Sequence, residues 1–229
     1  MGQRFGVGLY RLAGTSRKVF NTSSEFLNFL LGDSRNREME EQAAQAIFDA
    51  LNLNGGQNFI SSWNAERHLV CILYCLIIEI KPLKVVETGV ANGFSTNTIL
   101  RALNEVGQKS ELHSFDIDPK AQSASSGYDN WQFHLISPKR TFMDLETEVD
   151  KLTPIDMWLH DSDHCYWWQK RELKLAWKKL SENGILICDD VDYSSAWLSL
   201  SKSLFDTTYL VVDTRKVVGI AIKGSGKVM

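Results

Sequence analysis

The sequence predicts an α/β protein: a Rossmann-like, doubly wound sheet of seven strands, mostly parallel with a C-terminal antiparallel hairpin, preceded by an N-terminal helical extension. Three observations predict it. From Lys84 onward, short β-rich runs alternate with helical stretches, the pattern of a parallel sheet covered by helices on both faces. The last two runs are separated only by Thr214-Arg215, a link that permits a hairpin and forbids a parallel crossover. Before about residue 65 the signals are helical instead. The chain therefore divides into an extension or lid at residues 1–65 and an α/β domain at residues 66–229.

In the extension, helical signals cover Ser23–Leu31 and Arg37–Leu51, followed by a glycine-rich break at Asn54-Gly55-Gly56. The apolar run His68–Ile80 is shorter than the roughly 20 residues needed to span a bilayer. It also carries Glu79, so a buried helix is expected and no membrane partner. Five strand runs come next: Lys84–Thr88, Glu111–Ile117, Trp131–Ile136, Ile155–His160 and Gly184–Cys188. The clearest helical spacer is Tyr166–Leu180, where Leu173, Ala176, Trp177 and Leu180 recur at helical intervals and Asn183-Gly184 is the expected stop. The runs Thr207–Asp213 and Lys216–Ile222 form the closing hairpin.

Bulk properties narrow the function classes. With 229 residues, 44% of them hydrophobic and seven of them tryptophan, the chain can build one well-cored α/β domain plus the extension. A net charge of −3 and a pI near 6.0 give no electrostatic reason for a polyanionic partner, so no nucleic acid is expected. Lys170-Arg171 and Lys178-Lys179 read as the wet face of a helix. The four cysteines, Cys71, Cys75, Cys165 and Cys188, form no CxxC pair and no zinc array, and are expected as mostly buried thiols. The N-terminus lacks a continuous apolar segment of the secretory kind, which makes the cytoplasm the expected location.

In open α/β sheets ligands bind beyond the carboxyl ends of the strands, so the residues just after each run carry the chemistry. The first end reads Glu87-Thr88-Gly89-Val90-Ala91-Asn92-Gly93-Phe94-Ser95-Thr96. Two glycines there flank a tight turn into a helix, allowing a ligand to approach the backbone. The spacing is GxxxG, not the GxGxxG of dinucleotide-binding dehydrogenases. At the second end, the two oxygens of Asp116 suit the paired hydroxyls of an adenosine ribose, while Asp118-Pro119 caps the next helix.

Two adjacent strand ends, His160-Asp161-Ser162-Asp163-His164 and Cys188-Asp189-Asp190, deliver Asp161, Asp189 and Asp190 to one rim. Unpaired carboxylates clustered there would repel one another, so a divalent cation is the expected compensation. Oxygen-only ligands favour Mg2+, with manganese or calcium as alternatives; helix capping is the bland reading of any one Asp taken alone.

Together these residues resemble the class I S-adenosylmethionine-dependent methyltransferases, over roughly Lys81 to Val191. Within that class the resemblance is to the metal-dependent O-methyltransferases: the macrocin and mycinamicin sugar enzymes with their cephalosporin-hydroxylase-like relatives and, more distantly, catechol O-methyltransferase. It implies S-adenosyl-L-methionine as cofactor, with Glu87, Thr88, Gly89, Ala91, Asn92, Gly93 and Ser95 holding its methionine part, Asp116 its ribose, Ile117 a further cofactor-binding residue, and Ser137 near the adenine. It also implies metal ligation by Asp161, Asp189 and Asp190. The catechol enzyme has Asn where this chain has Asp190 and a catalytic Lys where it has His164. The sugar enzymes are similar in placing a His at this spacing.

The expected reaction is O-methylation of a hydroxyl on a small molecule or sugar, with His164 and Asp161 catalytic; imidazole titrates near neutrality and suits a general base. The motif (D/N/S)PP(Y/F/W) of amino-methylating DNA enzymes is absent, and no Pro-Pro occurs in the chain. Two alternatives stay open: an NAD-dependent oxidoreductase on a related fold, and a non-catalytic cofactor-binding protein. Trp167, Trp168, Tyr193 and Trp197 could form a substrate wall or part of the core, and the extension could serve as a lid or as the surface of a homo-oligomer.

Overall fold

A computed structural model describes residues 9–16, 18–32, 37–53, 58–107, 109–125 and 127–224; the break expected at Asn54-Gly55-Gly56 lies outside them. The chain enters through α1 (Leu9–Ala13), β1 (Lys18–Phe20), α2 (Ser23–Leu31) and α3 (Arg37–Leu53). It continues through α4 (Arg67–Ile80), β2 (Lys84–Thr88), α5 (Phe94–Val106), β3 (Glu111–Asp116), β4 (Trp131–Leu135) and α6 (Thr141–Asp150). The last elements are β5 (Ile155–His160), α7 (Tyr166–Lys179), β6 (Leu180–Cys188), α8 (Ala196–Ser201), β7 (Thr207–Val212) and β8 (Val217–Ile222).

The strand order is β1-β7-β8-β6-β5-β2-β3-β4. Among the described residues only the pairs involving β8 are antiparallel: β7 with β8, from Thr207↔Ile222 to Val212↔Val217, and β6 with β8, from Ile185↔Ile222 to Cys188↔Gly219. The Asp213 amide donates to the Lys216 carbonyl at 2.9 Å and closes the hairpin. The chain winds outward through β3 and β4, then returns to place β5 on the other side of β2. That reversal opens a crevice at the carboxyl ends of β2 and β5, where doubly wound sheets hold their ligands.

Two local features depart from the sequence expectation. Among the described residues the sheet has eight strands, because Lys18–Phe20 pairs in parallel with β7 in the register Lys18↔Tyr209. Three residues are too few to show alternation, and Phe20 reveals its role only through its ring contacts with Phe26 and Tyr209. Helix α7 also ends at Lys179, before Asn183-Gly184; Leu180 is already extended, and Asn183, at φ 63°, lies within β6 where its register against β5 shifts.

Local chemistry accounts for the helix boundaries. Thr22 caps α2 by accepting from the Glu25 amide at 3.2 Å, and Gly32, at φ 77°, ends it. Helix α4 is apolar on nearly every face because it is packed on nearly every face: Leu69 to Ile77 are all buried, and Glu79 at its end meets Arg37 at 3.2 Å. One core layer joins α2–α5 to the sheet; the opposite layer, around Trp158, Trp177 and Trp197, joins it to α6–α8. Among the described residues no helix is long and apolar enough to cross a membrane. Cys71, Cys75 and Cys188 are buried free thiols, and Cys165 is an exposed one.

Candidate functional site

The turn after β2 is fixed from behind. Glu87 is wholly buried, and its Oε2 accepts from Thr96 Oγ1 at 2.8 Å and Ser114 Oγ at 2.7 Å, tying β2 to α5 and β3. Burial pushes its carboxyl up to about 6, against the lowering effect of those hydroxyls. Ser95 is buried beside it. Gly89, at φ 84°, is pressed against β5: a Cβ there would stand 2.1 Å from the Asp161 carbonyl oxygen. Gly93, at φ 77°, is pressed against the 3-10 turn Pro119–Ala124, where a Cβ would lie 2.7 Å from that of Ala124. Both glycines are therefore demanded by close approach and by backbone conformation together.

Asp116 faces this turn from the end of β3. Its Oδ2 accepts from the Val90 amide at 2.9 Å and the Ala91 amide at 3.4 Å, and its Oδ1 from the Asp118 amide at 2.9 Å. Ile117, beside it, is half exposed, an uncovered apolar surface at the crevice. Ser137 begins the turn into α6: its hydroxyl accepts from the Lys139 amide at 3.3 Å and its carbonyl from Thr141. Asn92 points away, toward the N-terminal segment, donating to the Phe59 carbonyl and to Asn64 Oδ1 and accepting from the Phe59 amide.

The ends of β5 and β6 bring Asp161, Asp189, Asp190 and His164 to one rim. His164 Nε2 lies 3.8 Å from Asp161 Oδ1 and 3.6 Å from Asp190 Oδ2, distances of charge proximity and not of a made hydrogen bond. Burial, and next the charge of His160, lower the His164 imidazole to about 4. A fifth residue completes the group. Lys216, buried just before β8, donates to Asp189 Oδ2 at 2.6 Å and stands 3.3 Å from Asp190 Oδ2. Burial works against its charge, but Asp189, Asp161 and Asp190 outweigh that and hold its pKa above the usual lysine value. Burial and then Asp189 push Asp161 well above the carboxylate range, and burial pushes Asp189 to about 6 in spite of Lys216.

The cation expected at Asp161, Asp189 and Asp190 thus meets a site that already contains one. Among the described residues no three His, Cys, Asp or Glu side chains are placed to hold a metal ion. The donor set does not fit a resident divalent ion, because a buried ammonium already holds Asp189 Oδ2 and stands 3.3 Å from Asp190 Oδ2, and a second cation beside it would be repelled.

Beneath the rim lies a buried network that the sequence does not reveal. Glu172 of α7 receives Thr88 Oγ1, Ser162 Oγ at 2.8 Å and His160 Nδ1 at 2.7 Å. Burial opposes its charge, yet His160 and these donors keep its carboxyl below the usual range. Glu172 falls on the inner side of a helix whose other charges are solvated, and only the contacts of α7 distinguish it from them. Lys216 had a fainter signal still: a lone lysine opening an otherwise apolar strand. Of the four aromatics that could form a substrate wall, Trp197 is core, Trp168 donates to Ser162 at 2.9 Å, and Trp167 and Tyr193 are exposed.

Residues 86–191 match the family model Methyltransf_24, described as a methyltransferase domain. No curated protein matches the chain. Among solved structures, an O-methyltransferase from Bacillus cereus in complex with SAH is 13% identical, with a TM-score of 0.53 over 89% of this chain and 98% of that one. The SAH-bound methyltransferase PaMTH1 of Podospora anserina is 16% identical, with a TM-score of 0.55 over 84% and 89%. TomG of Streptomyces achromogenes, an O-methyltransferase involved in tomaymycin synthesis and bound to SAM, is 13% identical, with a TM-score of 0.54 over 90% and 97%. At such identities the likeness is one of fold.

Proposed function

We propose, from the premise that residues 86–191 form a methyltransferase domain, that this chain moves the methyl group of S-adenosylmethionine to a hydroxyl of a small molecule. One observation carries the reading: the glycine turn and the carboxylate–histidine rim are in backbone contact, Gly89 against the Asp161 carbonyl. A cofactor lying on that turn would present its sulfonium beside the residues able to receive an acceptor.

Each residue then has a task. Asp116, which already organises the turn, has carboxylate capacity left to accept from ribose hydroxyls, and Ile117 offers an apolar surface at the base. Glu87, behind the turn, keeps it in shape without reaching the ligand. His164, neutral above about pH 4, takes the hydroxyl proton as the oxygen–carbon bond forms and the sulfur–carbon bond breaks. Asp190 and Asp161 both lie near its Nε2, at 3.6 and 3.8 Å, and the charge of Asp190 favours the imidazolium. Most of the acceleration is then positioning, oxygen and methyl held in line. The resemblance to the macrolide sugar enzymes, which place a His at this spacing, favours an aliphatic or sugar hydroxyl as acceptor.

Calorimetric titration of the full chain with SAM, SAH and NAD tests the cofactor assignment. Saturable binding of SAM and SAH, and none of NAD, is expected. NAD binding without SAH binding would overturn it.

A further inference from the structure

We propose that Lys216 is a built-in cation for the carboxylate rim, and that methyl transfer by this chain proceeds without a divalent metal. This concerns the site of the proposed function and rests on that reading for its catalytic meaning; the occupancy of the rim by Lys216 does not.

The placement of Lys216 is a consequence of topology. Strand β8 runs antiparallel to β6 with Cys188 opposite Gly219, so the start of β8 comes to lie beside the residues just after β6. The Val191 amide donates to the Val217 carbonyl at 3.0 Å and fixes that neighbourhood. The Asp213–Lys216 turn bond fixes the backbone of Lys216 itself. Its side chain is 4% exposed, enclosed along its length with its ammonium on Asp189 and Asp190. Swinging it into solvent would require opening the hairpin.

Magnesium or manganese would need several oxygens at about 2.1 Å in octahedral array. Here Asp189 Oδ2 is engaged by Nζ at 2.6 Å, and a second cation among the same oxygens would be repelled at short range in a poorly solvated site. The ammonium neutralises one carboxylate without coordination. The oxygens facing His164 Nε2 are Asp190 Oδ2 at 3.6 Å and Asp161 Oδ1 at 3.8 Å, and the charge of Asp190 offsets part of the burial that keeps this imidazole neutral. The rim is thereby suited to proton removal, and the acceptor oxygen is activated by His164 in place of a Lewis acid.

The experiment uses the full chain after EDTA treatment, titrated with MnCl2 and followed by the electron paramagnetic resonance signal of free Mn2+, with and without SAH. The wild type is expected to take up no Mn2+ at micromolar concentrations and to keep its melting temperature when EDTA or MgCl2 is added. Lys216→Met, which leaves the three carboxylates without their ammonium, is expected to bind Mn2+ roughly tenfold or more tightly than the wild type. Lys216→Arg should resemble the wild type. Stoichiometric micromolar uptake by the wild type overturns the proposal, and that measurement needs no variant to fold. Equal Mn2+ affinity of the wild type and a folded Lys216→Met overturns it as well. A parallel SAH titration reads the cofactor assignment separately, so the two failures are distinguishable.

Discussion

Asn92 and Phe59 are joined by two hydrogen bonds, the Phe59 amide donating to Asn92 Oδ1 and Asn92 Nδ2 donating to the Phe59 carbonyl, each at 3.1 Å. A residue of the turn after β2 thus holds the segment that precedes α4. Asn92→Ala removes both bonds and the one to Asn64 Oδ1. Amide exchange at Phe59 is expected to quicken by about tenfold, with global stability lowered by about 1–2 kcal/mol. Exchange mass spectrometry of residues 58–64 and urea unfolding check this; unchanged exchange would separate the segment from the turn.

Gly89→Ala combines a left-handed backbone position with a clash against the Asp161 carbonyl. Neither β2 nor β5 can retreat without losing its neighbour in the sheet. A loss of roughly 3 kcal/mol or more is expected, together with loss of SAH binding. Chemical denaturation and calorimetry would measure both.

Asp116→Asn preserves shape but weakens acceptance from the Val90, Ala91 and Asp118 amides, and replaces one acceptor oxygen by a donor. Losing charge-assisted bonds of about 1.5–3 kcal/mol predicts an SAH dissociation constant raised by roughly ten- to a hundredfold. An unchanged constant would remove Asp116 from the ribose.

Glu87 should leave a signature in the dependence of stability on pH. The unfolded chain releases this proton near 4.5 and the folded chain near 6. Between those values the folded state holds more protons, so the stability present below pH 4.5 is lost as pH rises through 6. At pH 8, Glu87→Gln is expected to exceed the wild type by about 2 kcal/mol, with the gap closing below pH 4.5. Urea unfolding of both proteins from pH 4 to 8 provides the comparison.

His164→Gln should bind SAH like the wild type and transfer methyl groups roughly a hundred- to ten-thousandfold more slowly. Because burial lowers this imidazole to about 4, it is available as a base throughout pH 5–8, and the wild-type rate should not fall until the pH drops below about 5. The folded state also loses stability as pH falls from 6.5 toward 4, since only the unfolded chain takes up that proton readily. A rate profile with its acid limb near 6.5 would point to a different base.

The parts of the site legible in the sequence are those where one strand end carries its own chemistry. Gly89, Gly93 and Asp116 each sit within a few residues of an apolar run that marks the strand, so alternation alone places them at the crevice. Lys216 and Glu172 escaped because their meaning depends on a partner far along the chain. Lys216 acquires its neighbours only once β8 pairs with β6, and Glu172 only once α7 turns that face toward His160 and Thr88. The charge balance of the carboxylate rim is hidden for the same reason: local sequence counts the negative charges after β5 and β6, while the positive charge arrives from the C-terminal hairpin, at the residue before β8.

Periodicity, glycine spacing and a two-residue link thus determined the class of sheet, its antiparallel closure and which strand ends are polar, since all of these are properties of short segments. Tertiary structure alone decided the eighth strand, the burial of Glu87 behind the turn and the balance of charge around Asp161, Asp189 and Asp190. Electrostatic energy depends on distances in space, and the ammonium that meets Asp189 belongs to a residue 27 positions away in sequence.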